Sequence, residues 1–234
     1  MILSGFFVGQ EANGQDYASR RERLLAEVDA MYAETRSETG LAAMSPPVRR
    51  AIGKVERHRL VPDGQRDLAY RNHPLPIGSG QTISQPYIVA LSADLLNAKA
   101  GDAILEVGTG SGYQAAVLAE IVSRVYSIEL IASLGGEARK RLEELGYGNI
   151  EVRIGDGYQG WPEKAPFDGI VVTAAAPHVP AALVEQLKPG GRMVIPVGGS
   201  GEIQYLKVLE KRPDGTVNDK RVLPVRFVPL VPSK

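Results

Sequence analysis

Residues 105–113, LEVGTGSGY, restrict the fold more than any other stretch of the chain. Ala103 and Ile104 lead into it and an apolar-periodic run to Val122 follows, so the segment reads as strand, tight turn and helix. Gly108, Gly110 and Gly112 fall at alternate positions. Glycine is needed in such a turn where φ is positive and where a ligand must approach the backbone without meeting a Cβ. This is the outline of a nucleotide-cofactor loop in an α/β protein. A glycine turn of purely structural purpose is the alternative.

The spacing bears on which cofactor is held. A dinucleotide fingerprint runs G-x-G-x-x-G and aims a helix N-terminus at a pyrophosphate. Here the spacing is G-x-G-x-G, with Glu106 two positions before the first glycine. A carboxylate there repels a pyrophosphate and suits a ligand bearing an ammonium and a sulfonium. Glu129 ends the next apolar run, about where an acidic residue meets a ribose diol. Both features favour S-adenosyl-L-methionine over NAD.

The chain after the loop alternates strand and helix: strands at 104–107, 125–129, 150–154, 169–173 and 192–197, with helices at 113–122, 133–145 and near 183–187. Such alternation predicts a parallel sheet covered on both faces. Gly146 is expected to cap the middle helix, and Gly135-Gly136 to weaken its first turn. Asp156, between Gly155 and Gly157 at a strand end, is placed to accept a hydrogen bond from an adenine amino group. Residues 203–209 and 222–228 read as an antiparallel pair turned at Asp214-Gly215 and set at the sheet edge.

Before the loop, Leu24, Leu25, Val28, Met31 and Tyr32 share one face of a helix over 17–35, and a shorter helix carries Val48, Ile52 and Val55. Arg49, Arg50, Lys54, Arg57 and Arg59 lack interleaved aromatics and read as a solvated helix face rather than a nucleic-acid patch. Residues 74–90, PLPIGSGQTISQPYIVA, have too many turn formers for a regular element and too many apolar residues for a free linker. They are expected to form a functional loop folding over the cofactor, with polar groups from Gln81, Thr82 and Ser84. Ser84 also suits a helix cap ahead of Pro86.

Composition excludes several function classes. Lys plus Arg and Asp plus Glu both number 27, so no bulk field recruits nucleic acid or an anionic membrane. With no cysteine there is no disulfide, thiolate nucleophile or cysteine metal site, and His58, His73 and His178 show no ligand spacing, so no metal is expected. The first nine residues are apolar but lack a basic n-region. The expected organisation is a flexible extension over 1–16 and a single domain over 17–234. That domain divides into helices and active-site loop (17–100), cofactor core (101–198) and C-terminal strands (199–234), in a cytoplasmic monomer.

Six segments together are more specific than the glycine loop: IGSGQTISQP (77–86), LEVGTGSGY, RIGDGYQGW (153–161), TAAAPHVP (173–180), LKPGGRMVIPVG (187–198) and RFVPLV (226–231). In these the chain resembles the bacterial protein-L-isoaspartate O-methyltransferases over roughly residues 17–231. The resemblance implies a Rossmann-like S-adenosylmethionine-dependent methyltransferase fold with an N-terminal helical addition and C-terminal antiparallel strands. It implies methylation of the α-carboxylate of L-isoaspartyl residues, and less well D-aspartyl residues, as the start of repair through a succinimide. By the same resemblance Ser84 is the active-site serine orienting the acceptor carboxylate, and Thr82 and Ile83 line the methyl donor. Glu106, Gly108, Gly110 and Gly112 form the donor's amino-acid pocket, Glu129 holds its ribose, Asp156 and Gly157 meet its adenine, and Pro196, Val197 and Gly198 present backbone to the substrate peptide. Isoaspartyl proteins and peptides are the implied partners, and neither nucleic acid nor membrane is. A methyltransferase for a small molecule or RNA is the alternative function.

Overall fold

The computed structural model describes the backbone of residues 8–199 and 201–233, and side chains from Asp16 onward. Helix α1 (Val8–Glu34) starts earlier than expected, so residues 8–16, assigned to a flexible extension, are helical in backbone; residues 1–7 lie outside the described residues. The stretch contains no proline, so the helix continues through it despite Gly9 and Gly14. Leu24, Leu25, Val28 and Tyr32 are buried, and each side chain of this size contributes about 1.5–3 kcal/mol when removed from water. A short turn, α2 (Arg36–Thr39), leads to α3 (Pro46–Lys54), which has Pro at its start and Ser45 as N-cap accepting from the Val48 amide.

Residues 74–90 are more regular than their turn formers imply. Leu75–Gly78 (β1) and Gln81–Ile83 (β2) pair antiparallel across Ser79-Gly80, and Pro86–Leu96 is helix α4. Leu75, Ile77 and Ile83 are buried and fix the hairpin to the core, leaving its turn residues exposed.

The main sheet contains β3 (Ala103–Val107), β4 (Arg124–Glu129), β5 (Ile150–Ile154), β6 (Phe167–Val172), β7 (Leu187–Val197), β8 (Gln204–Lys211) and β9 (Val217–Val225). Their order is β5-β4-β3-β6-β7-β8-β9; the first five strands are parallel, and β8 and β9 run antiparallel. Connecting helices are α5 (Tyr113–Ala119), α6 (Ala132–Glu144) and α7 (Ala181–Glu185). Helix α7 lies two residues earlier than expected, because Leu187 already begins β7.

Strand alternation divides the core. Ile104, Val125, Val171 and Val194 face α1, α3, α4 and α5, whereas Leu105, Val107, Ile170, Val172 and Met193 face the opposite side with Trp161 and Leu183. Glu106 shares the Ile104 side, so a carboxylate occupies a position where the pattern calls for a core residue. The strand order reverses between β3 and β6, and ligands of open α/β sheets bind at such a switch point, outside the carboxyl ends of the strands.

Two local expectations acquire a cause. Gly146, at φ +83°, follows α6, and the Tyr147 amide donates back to the Leu142 carbonyl, closing the helix as a C-terminal glycine motif. Gly135, expected only to weaken α6, also sits in a close approach: a Cβ there would lie 2.3 Å from Ile154 Cδ1 and 3.0 Å from Glu129 Cβ, so both side chains would have to shift. The basic cluster needs a correction. Arg57 is fully buried, donating to the Ala69 and His73 carbonyls over the Tyr113 ring, while Arg49, Lys54 and Arg59 pair with Asp29, Glu120 and Glu56.

Candidate active site

At the switch point the chain leaves β3 and turns through the glycines into α5. Gly108 has φ +98°, and a Cβ would sit 2.3 Å from Thr173 Oγ1. That hydroxyl donates to the Gly108 carbonyl at 2.6 Å, and the Gly108 amide donates to the Ile128 carbonyl at 2.8 Å, so the loop is held between the ends of β4 and β6. The glycine is set by backbone conformation and by close approach together.

Glu129 fixes the other side of the loop. Its Oε2 accepts from the Gly110 amide at 2.8 Å and its Oε1 from the Ile131 amide at 3.0 Å. A carboxylate has about four acceptor sites, so capacity remains for two hydroxyls. Glu106 is different. Its Oε2 accepts from the Ser127 hydroxyl, which in turn meets Thr109 Oγ1 at 2.6 Å, but Oε1 is buried with no partner. Burial pushes the Glu106 carboxyl up to about 8.

These residues line an open cavity at the carboxyl ends of β3, β4 and β6. Its walls include Thr82, Ile83, Ser84, Glu106, Gly108, Gly110, Glu129 and Gly157. Next to it lies a more apolar groove between the end of α1, the start of α4 and the chain leaving β9. Thr82, Ser84, Thr173 and Val228 line both spaces and mark where they meet. Ser84 is half-buried and does not cap α4. The Asn72 side-chain carbonyl takes the Tyr87 amide at 3.0 Å instead, and the Ser84 hydroxyl makes no hydrogen bond among the described residues.

Five expected site residues fall outside both spaces. Gly112 begins α5 at φ +89°, and a Cβ there would press on Leu142 at 3.0 Å, so its demand comes from helix packing. The Asp156 carboxylate is occupied by backbone and tail: Oδ1 accepts from the Tyr158 amide and Oδ2 from the Ser233 amide and hydroxyl. The expected peptide-presenting backbone of Pro196, Val197 and Gly198 is also engaged. The Pro196 carbonyl accepts from Ala176 N–H, the Gly198 amide donates to the Ala176 carbonyl, and Val197 pairs with Tyr205. In its place the returning tail, residues 228–231, lines the cavity. Ala175 pins that tail by donating to the Val228 carbonyl and accepting from the Leu230 amide. The segment RFVPLV signalled family resemblance but carried no positional cue, because its pairing with Ala175 spans more than fifty residues. Gln114 also lines the cavity with its amide nitrogen buried and unpartnered.

The combination of an acid-flanked glycine loop, a switch-point cavity and an adjoining apolar groove agrees with the similarity to known proteins. The family model "Protein-L-isoaspartate(D-aspartate) O-methyltransferase (PCMT)" matches residues 28–234. "Protein-L-isoaspartate O-methyltransferase 2" of a Polaromonas species is 57% identical over 88% of this chain and 98% of its own. The protein of the same name from Syntrophobacter fumaroxidans is 54% identical over 98% of this chain and 92% of its own. A solved protein-L-isoaspartate O-methyltransferase superposes with a TM-score of 0.76 at 28% identity, over 89% of this chain and 65% of that longer one. A putative protein-L-isoaspartate O-methyltransferase from Plasmodium falciparum, solved with S-adenosyl-L-homocysteine, shares the fold with a TM-score of 0.72 at 24% identity over 92% of this chain and 98% of its own. Motif, cavity and similarity converge, and the chain belongs to the protein-L-isoaspartate(D-aspartate) O-methyltransferase family.

Proposed function

We propose that the protein transfers a methyl group from S-adenosyl-L-methionine to the α-carboxylate of L-isoaspartyl residues, and less well of D-aspartyl residues, in damaged proteins and peptides. The ester then closes to a succinimide, whose hydrolysis returns part of the chain to normal aspartate. The observation that carries this reading is the junction of the two spaces at Ser84, with a buried carboxyl that has one oxygen unpartnered on the donor side and a largely apolar groove on the other.

The donor side fits a cationic ligand. Glu106 Oε1 lacks a partner and burial pushes its carboxyl up; an ammonium would favour the carboxylate and supply the missing hydrogen bond. Gly108 and Gly110 give backbone access to the amino-acid part, Glu129 has free acceptor sites for the ribose hydroxyls, Thr82 and Ile83 close the cavity, and Gly157 borders the adenine end. Asp156 acts there through the tail segment it anchors. When bound, S-adenosyl-L-methionine supplies an electrophilic methyl on a sulfonium.

The protein's own part is to place the acceptor. A carboxylate with an ordinary value near 4 is ionised at neutral pH and needs no base. Neither space is lined by histidine, lysine or cysteine, in accord with that. The Ser84 hydroxyl donates to one carboxylate oxygen and leaves the other aimed at the junction, while Val228 and Thr173 exclude water. We take the enzyme to be a cytoplasmic monomer that binds neither nucleic acid nor membrane; balanced charge supports the absence of a polyanion partner. No helix among the described residues is long and apolar enough to cross a membrane.

The test is transfer of labelled methyl from S-adenosyl-L-methionine to two peptides differing only in a normal or isoaspartyl linkage. Base-labile label on the isoaspartyl peptide alone is the expected result. Cofactor binding without transfer to either peptide would move the function to another acceptor, such as a small molecule or RNA.

A further inference from the structure

The groove beside the junction is lined by fifteen residues, and Arg226 is the single charged one among them. Its surroundings differ from those of Arg221 and Arg192. Arg221 lies over the Tyr205 ring at 4.1 Å and Arg192 pairs with Glu210, whereas Arg226 is exposed and makes no ion pair with any described residue. Its backbone position is nonetheless fixed. The next residue, Phe227, is gripped on both sides by the Gln204 amide: its N–H donates to Oε1 at 2.6 Å and its carbonyl accepts from Nε2 at 3.1 Å. Beyond it, Ala175 holds 228–230. An arginine with no ion pair among the described residues thus sits at a fixed point on the wall of a groove that is otherwise uncharged.

Its distance from the junction decides what it can read. Val228 borders both spaces and Arg226 only the groove. Two residues of chain separate their Cα atoms by at most about 7 Å, which corresponds to one or two residues along a bound extended peptide. Because Arg226 lines the groove and not the donor cavity, it is placed beside the junction rather than at it. That placement also preserves the chemistry, because a bidentate arginine on the acceptor would withdraw the electron density needed for attack.

We propose that Arg226 is a specificity-determining residue, favouring isoaspartyl peptides that carry an acidic side chain one or two positions from the damaged residue. The proposal rests on the repair-methyltransferase reading and on charge complementarity in an uncharged groove. It predicts selection among damaged sites by local charge, exercised through KM.

The experiment compares isoaspartyl peptides identical but for Glu, Gln or Lys at one flanking position, taken on each side in turn, as substrates of the native protein, Arg226→Ala and Arg226→Glu. The expected order of kcat/KM for the native protein at one of these positions is Glu over Gln over Lys, roughly three- to fivefold per step as for a partly exposed ion pair, contracting as salt is raised. Arg226→Ala should level the Glu-to-Lys ratio and Arg226→Glu should reverse it, with melting temperatures unchanged because the side chain is exposed. An unaltered ratio in both variants, or a native protein indifferent to the flanking charge, overturns the assignment. Failure of the native protein to methylate any isoaspartyl peptide overturns the reaction itself, and the selectivity with it.

Discussion

The two spaces that meet at Ser84 are built differently. Much of the donor cavity comes from strand ends and the turns that follow them, with Glu106, Thr109, Glu129 and Thr173 in or within two residues of β3, β4 and β6. The acceptor groove is gathered from the end of α1, the start of α4 and the chain after β9, segments nearly two hundred residues apart in sequence. Local rules therefore govern the donor side, where a turn must have positive φ and a strand end must present a carboxylate. The acceptor side depends on long-range docking: Tyr32 donates to Asp94 at 2.6 Å, Thr35 meets the Tyr87 hydroxyl, and Gln204 grips Phe227.

The largest effect should come from breaking the donor side at its tightest point. Gly108→Val places a branched side chain at φ +98° against Thr173, and strain plus overlap should cost about 2–5 kcal/mol of stability together with cofactor binding. A denaturant midpoint and a calorimetric titration with S-adenosyl-L-homocysteine check both. Ser84→Ala probes the junction instead: turnover should fall roughly tenfold to a hundredfold while the Kd for S-adenosyl-L-homocysteine stays within about twofold, since the hydroxyl makes no internal hydrogen bond. Unaffected turnover would remove Ser84 from acceptor placement.

Glu106 gives a pH signature. Its folded value of about 8 lies above the ordinary 4.5, so between these limits the folded protein binds more protons than the unfolded chain. Its contribution to stability is complete below the lower value and is lost as pH rises through 8. An ammonium ligand requires the carboxylate, so binding releases a proton below pH 8, and affinity should climb toward tenfold per unit before flattening. Glu106→Gln should abolish that slope and weaken binding about tenfold near pH 8. A native affinity that is flat from pH 6 to 8 would contradict the protonated carboxyl.

The smallest expected effect concerns Asp156, which the family resemblance places at the adenine. Because Asp156 holds Ser233, Asp156→Ala should loosen the tail and weaken cofactor binding by only about threefold, as for loss of exposed hydrogen bonds. A loss larger than that of Glu106→Gln would return Asp156 to direct contact with the adenine.

The same contrast explains what could be read from sequence. The parallel sheet, the edge placement of β8 and β9 and the glycine loop were legible because strand alternation and glycine spacing are local signals, whereas the strand order was not. Glu106 and Glu129 were legible as strand-end carboxylates, but not the difference between them, which arises from the Gly110 and Ile131 amides on one and burial without a partner on the other. Arg57 looked like one more surface charge in a basic run, and its burial depends on carbonyls twelve and sixteen residues away. The helix cap at α4 was assigned to Ser84 by adjacency, whereas Asn72 reaches it across fifteen residues. The segment at 196–198 looked available as a peptide-binding edge until its pairing with Ala176 and β8 was known.

The most direct test of the two-space account is a crystal structure with S-adenosyl-L-homocysteine and an isoaspartyl peptide bound together. The account predicts the cofactor product between Glu106 and Glu129, the peptide in the groove between α4 and residues 223–228, and the acceptor carboxylate against the Ser84 hydroxyl. Peptide density along Pro196–Gly198, with the groove beside Arg226 empty, would contradict it.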